Sequence, residues 1–248
     1  MHARPSPFFA SLRTFASASA SLRASVSVAT RAAVRLVAPA FCAGCETPLS
    51  DDALFCTRCE PSGANPARLD HLESGLPVIS TGLYEGPLAA AVRTLKYRRR
   101  PDLGGPLGLR LADAVRSAAL TDALTDAPVL VPVPLHPLRL AERGYNQSGL
   151  VARAAAVALG LRSELRLLSR VRVTNEQASL DRCARLENVS AAFAVRAPVD
   201  DRRIIVVDDV VTTGATALAC ARALESAGAV VIAIAALARA DHVPVPLR

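Results

Sequence analysis

Residues 204–216 read Ile-Ile-Val-Val-Asp208-Asp209-Val210-Val211-Thr212-Thr213-Gly214-Ala215-Thr216, two adjacent carboxylates and three hydroxyls where an apolar run gives way to a helical one. Four β-branched residues deliver the chain to the carboxyl edge of a parallel sheet, where ligands bind in such folds. Free N–H groups at the following helix start, together with the positive end of its dipole, favour a phosphate dianion. Gly214 lets the backbone approach closely, and Thr212, Thr213 and Thr216 add hydroxyl donors. Ionised Asp208 and Asp209 beside such a cradle suit the cis-diol of a ribose, because a carboxylate accepts the hydrogen bonds that a diol donates. The alternative for these residues is ordinary helix capping, which needs one such side chain rather than five. The chain holds neither G-x-x-x-x-G-K-[ST] for a triphosphate nor G-x-G-x-x-G for a dinucleotide.

A second cluster lies near the amino end. Cys42, Cys45, Cys56 and Cys59 are spaced C-x2-C-x10-C-x2-C. Two such turns complete a tetrahedron around Zn2+ at roughly 2.3 Å per sulfur, and a four-thiolate site leaves no position for water, so its role would be structural. The segment is too short to bury a core, and the metal would supply most of its folding energy. The alternative is two redox C-x-x-C pairs, which normally sit at a helix start beside a sheet. Cys183 and Cys220 stand apart; Cys220, in an Ala-rich helix, reads as a small core residue.

The elements that must position these groups can be followed along the chain. Residues 1–40 form a leader rich in Ser, Ala and Arg, expected to be partly disordered with a short helix at 28–39; its first 30 residues have the composition of a transit peptide as well as of a plain leader. The knuckle occupies 41–60 and a Pro/Gly-bearing linker 61–77, and the main domain spans 78–240. Within that domain strands are expected at 78–84, 129–133, 193–195, 203–207 and 229–234. Helices are expected at 87–97, 107–120, 147–159 and 215–227, with Gly160 and Gly228 as caps. Residues 165–192 read as a long polar, mobile segment. Strand, helix and strand at the carboxyl end make a βαβ unit and imply a parallel sheet.

Composition narrows the choice further. The 248 residues are 51% hydrophobic and 21% charged, as in a folded globular protein. The longest apolar run, 229–238, is too short for the ~18 residues of a membrane span. The net charge of +7 is not a nucleic-acid footprint, since without the five arginines of residues 1–40 only +2 remains. All 29 cations but Lys96 are arginine, a skew that genome composition alone can produce.

The stretch VVDDVVTTGAT resembles the 5-phosphoribosyl-1-diphosphate (PRPP) loop of type I phosphoribosyltransferases. Over roughly residues 40–240 the chain is similar to the ComF subgroup, bacterial proteins linked to DNA uptake in competence. The likeness is carried by the cysteine knuckle, Leu95-Lys96-Tyr97, Val131-Pro-Val-Pro134, Arg143-Gly144-Tyr145-Asn146-Gln147, and the spaced set Arg170, Thr174, Gln177, Leu180, Arg185, Asn188 and Phe193. It implies an α/β, parallel-sheet phosphoribosyltransferase-like fold with a small N-terminal zinc ribbon, in a cytoplasmic bacterial protein.

The resemblance also implies roles. Asp208 and Asp209 would hold the ribose hydroxyls as the catalytic pair, and Thr212 to Thr216 the 5-phosphate. The segment Pro134-Leu135-His136 would lie at the diphosphate, with Arg139, Arg143, Asn146 and Gln147 nearby and the 170–188 segment as a hood. Lys96 and Arg93 could approach the diphosphate, although a basic helix face is as often merely solvated, and His136 could equally be a turn histidine. Mg2+ is expected with PRPP. Purine-salvage members carry an acid where this chain has Thr212, so purine salvage is not implied. The alternative function is a non-catalytic partner of an uptake helicase that binds nucleotide or single-stranded DNA through Arg93, Lys96, Arg98, Arg99 and Arg100.

Overall fold

A computed structural model describes residues 41–49, 53–59, 67–118, 126–171 and 192–240. The leader with the helix expected at 28–39, Cys183, and five members of the spaced set (Thr174, Gln177, Leu180, Arg185, Asn188) lie outside the described residues.

Apolar runs form the centre of a six-stranded sheet. Strands β1 (Arg68–His71), β2 (Pro77–Ser80), β3 (Val129–Pro132), β4 (Arg162–Ser163), β7 (Arg203–Val211) and β8 (Val230–Arg239) are ordered β1-β2-β8-β7-β3-β4. All pairs are parallel except β1–β2. Val129 to Pro132 are buried throughout, as are Ile204 to Val207, because helices cover both faces of this part of the sheet.

Helices α1 (Gly86–Tyr97), α2 (Gly104–Ser117) and α4 (Gln147–Leu159) bury Leu95, Leu107, Leu111, Val151 and Ala155 with Ile205 and Val207 on one face. Helix α5 (Ala215–Ser226) covers the other with Cys220 and Leu224 against Ile204 and Val206, so Cys220 is the expected core residue. Helices α2 and α4 meet closely at glycine: a Cβ on Gly108 would lie 2.5 Å from Ala154 Cβ and 2.8 Å from Val151 O. Helix α3 (Pro137–Arg143) is short and exposed.

Several elements depart from the sequence expectations. Residues 68–71 and 77, within the span read as linker, belong to the sheet, β1 pairing antiparallel with β2 at its edge. The alternating, charged Arg68-Leu-Asp-His71 hides that membership, and charge is how edge strands are normally guarded. Strand β7 does not turn after Val207 but continues to Val211, because β8 pairs with it as far as Arg239. Aspartates and alanines are poor strand formers, and tertiary pairing overrides that preference in both strands. Within 165–192, β5 (Leu168–Arg170) pairs antiparallel with β6 (Phe193–Val195) as a separate ribbon. There the two ends of the spaced set meet, the Arg170 guanidinium 5.7 Å from the centre of the Phe193 ring.

Candidate functional site

The carboxyl ends of β3 and β7 and the starts of α4 and α5 converge at one edge of the sheet. The segment Arg143–Ser148 builds much of it. Gly144 ends α3 in the left-handed conformation at φ 82°, and Asn146 caps α4 by accepting the Ser148 N–H at 3.1 Å. Asn146 Nδ2 also donates to Val133 O at 3.0 Å, tying α4 to the end of β3, while the Tyr145 hydroxyl donates to Leu95 O in α1. Gln147 and Ser148 are thereby held at the acidic pair.

The two aspartates have different environments. Successive strand residues point to opposite faces, so Asp209 shares the Ile205–Val207 face with α1 and α4. It is 3% exposed, and both its oxygens are taken: Lys96 Nζ lies 2.8 Å from Oδ1 and Gln147 Nε2 donates to Oδ2 at 2.6 Å. Asp208 is half-buried. Its Oδ1 accepts the Asp209 N–H at 2.8 Å and Ser148 Oγ at 3.3 Å, and Oδ2 has no hydrogen-bond partner among the described residues. The two acids, expected to act alike on the ribose hydroxyls, thus stand in different surroundings, and Lys96 lies against Asp209.

Beyond Val210 and Val211, the chain reaches Gly214 at φ 78°, the N-cap of α5, which offers no capping side chain. A Cβ there would lie 2.5 Å from Leu72 Cδ2, so the β1–β2 turn covers this glycine, and any other residue would have to push the Leu72 tip aside on a left-handed backbone that side chains disfavour. Thr212, Thr213 and Ala215 are exposed and Thr216 half-buried. The N–H of Ala215 reaches Thr213 Oγ1 only at 3.4 Å. A helix start with an open set of donors thus stands three residues past β7.

Burial, and then the charge of Asp209, push Asp208 up to about 7. An unfolded aspartate releases its proton near 4, so the native state binds the extra proton between about pH 4 and pH 7 and loses stability as pH rises through that window. Asp208→Asn is therefore expected to melt above the unsubstituted protein at pH 8 and close to it at pH 5. Thermal denaturation at the two pH values checks this, and a gap that does not widen with pH contradicts it.

The other expected contacts fall further out. His136 caps α3, its Nδ1 accepting the Leu138 N–H at 3.3 Å, which is the turn role; Leu135 is half-buried, and Arg139 and Arg93 are exposed. Arg143 donates to Gln147 Oε1 and stands 5.4 Å from the centre of the Tyr97 ring. Of the basic cluster, Lys96 pairs with Asp209, Arg98 with Glu46 and Arg100 with Asp102, so three of its five cations are already compensated.

Residues 151–246 match the family described as phosphoribosyl transferase domain. The chain is 32% identical over 198 residues to DNA utilization protein YhgH of Salmonella typhimurium, covering 80% of this chain and 83% of that one. The protein of the same name from Escherichia coli K12 is 30% identical over 207 residues, with 80% and 89% covered. Competence protein F of Haemophilus influenzae is 29% identical over 203 residues, with 81% and 85% covered. The chain belongs to the ComF family. In this ComF chain the matched domain starts inside α4, so Lys96, Gln147 and Ser148, which hold the acidic pair, come from outside it. Ser148 and Leu72 were not among the residues the sequence singled out, and neither carries a pattern that marks it.

The ComF knuckle gathers its four cysteines. Their sulfurs all lie within 4.8 Å of one another and none of the four is in a disulfide. Cys45 Sγ and Cys56 Sγ are 3.6 Å apart, close to the ~3.8 Å edge of a tetrahedron with 2.3 Å metal–sulfur bonds. The N–H groups of Gly44 and Cys56 point at Cys42 Sγ, 3.4 and 3.3 Å away, as donors to a ligating thiolate do. The donor set fits one metal ion such as zinc. Among the described residues no helix is long and apolar enough to cross a membrane.

Proposed function

We propose that the chain binds PRPP, or a related phosphoribosyl ligand, at the junction of β7 and α5, and transfers the phosphoribosyl group. The observation that carries this is Asp208 Oδ2, without a hydrogen-bond partner among the described residues, on the strand that leads into the glycine-capped start of α5, in a chain whose carboxyl-terminal part matches the phosphoribosyl transferase domain. The 5-phosphate would take the N–H groups and hydroxyls of residues 212–216, and Asp208 the ribose hydroxyls. Mg2+, carried on the diphosphate, would offset its charge. The bond from the anomeric carbon to the diphosphate oxygen breaks as an amine or ring nitrogen attacks that carbon and gives its proton to solvent. The protein contributes orientation and charge neutralisation. Cys42, Cys45, Cys56 and Cys59 would hold a structural Zn2+.

The names of the relatives favour a role in DNA utilisation or competence; a cytoplasmic place beside an uptake helicase is part of the same proposal and rests on the family resemblance alone. A non-catalytic ComF protein that binds nucleotide or single-stranded DNA is the alternative, and the pairing of Lys96, Arg98 and Arg100 weakens the electrostatic basis for DNA. Diphosphate release from PRPP across a panel of amines and nitrogen bases tests the enzyme directly. Release with at least one acceptor, falling about tenfold or more in Asp208→Asn with the loss of a charged hydrogen bond, is expected. Release unaffected by that change contradicts the assignment.

A further inference from the structure

We propose that Asp209 is a positioning residue: together with Gln147 it fixes the Lys96 ammonium at the sheet edge, and Asp208 alone reads the ribose hydroxyls. This rests on the phosphoribosyl function proposed above and divides a pair of acids that the motif presents as equivalent.

Asp209 is 3% exposed and its two oxygens are already held, by Lys96 Nζ at 2.8 Å and by Gln147 Nε2 at 2.6 Å. Gln147, itself 5% exposed, is fixed in turn by Arg143 at its Oε1. Each oxygen keeps a second lone pair, but at 3% exposure a diol would reach Asp209 only by moving Lys96 or Gln147 aside, and drawing Lys96 off a buried carboxylate strands a charge. Asp208 has the opposite character: half-buried, with Oδ2 unoccupied among the described residues.

Lys96 gains what Asp209 gives. An ammonium has three donors, and Asp209 takes one; the side chain is still 19% exposed. A lysine tethered at its tip has already lost the rotamer freedom that binding an anion would otherwise cost. The tether thus presents a fixed cation beside Asp208, suited to the diphosphate half of the ligand, while Asp208 serves the sugar half.

Calorimetry on the metal-loaded full chain separates the roles, with ribose 5-phosphate, 2-deoxyribose 5-phosphate and PRPP as probes. The unsubstituted protein is expected to prefer ribose 5-phosphate over its 2-deoxy analogue. Asp208→Asn should bring that ratio close to one. Asp209→Asn should preserve the ratio within about twofold yet weaken PRPP about tenfold, as should Lys96→Met, since each removes a charged contact or its support. Gln147→Met, which leaves the ion pair in place, gives a milder version of the same pattern should Asp209→Asn fold poorly.

Loss of the sugar preference in Asp209→Asn or Gln147→Met overturns the division of roles, as does PRPP affinity unchanged in both. Failure of the unsubstituted protein to bind any of the three probes overturns the phosphoribosyl function itself, and the division with it.

Discussion

Lys96→Met is expected to melt about 10 °C below the unsubstituted protein. The change removes the cation that faces Asp209 Oδ1 at 2.8 Å and leaves a carboxylate whose side chain is 5% exposed with Gln147 as its remaining partner. Breaking a buried pair from one side costs about 3 kcal/mol or more, and in a chain of this size each kcal/mol moves the melting temperature by roughly 3 °C. Adding Asp209→Asn removes the stranded charge and should recover most of the loss. A single variant melting within about 2 °C of the parent contradicts the buried-pair account, because surface pairs are the ones worth so little.

The second large effect is expected from metal removal. Chelation at neutral pH should unfold the cysteine knuckle (residues 41–49 and 53–59) and loosen α1, read as lost hydrogen-exchange protection in both, with about one metal ion released per chain. The knuckle has Cys42, Ala43 and Phe55 to bury, far too little to fold alone, whereas zinc supplies on the order of 10 kcal/mol in such sites. It also braces α1: Arg98, just past the helix end, pairs with Glu46, and Gly44 lies against Pro87 at the helix start, where an added Cβ would be 3.3 Å from Pro87 Cβ. Protection in α1 unchanged after complete chelation would show that the knuckle and the helix are independent.

The sequence made the covalently local features legible. The cysteine spacing announced a four-sulfur cluster, and Gly160 and Gly228, the expected caps, stand at positive φ just past α4 and α5. The parallel sheet followed from the βαβ pattern at the carboxyl end. What stayed hidden depends on pairing across long separations. Arg68–His71 looked like linker because an edge strand needs no apolar run, and its turn residue Leu72 seals Gly214 from a distance of more than a hundred residues. The pleat of β7 was equally invisible: once the strand is seen to run to Val211, adjacent aspartates cannot share a face, and Lys96 and Gln147 become partners of one of them.

The most direct measurement is a crystal structure with ribose 5-phosphate bound to the metal-loaded protein. The phosphate is expected within hydrogen-bond distance of the N–H groups of residues 213–216, with a ribose hydroxyl on Asp208 and the Lys96–Asp209 pair intact. Fully occupied ligand elsewhere on the molecule, with the start of α5 left to water, would contradict the account.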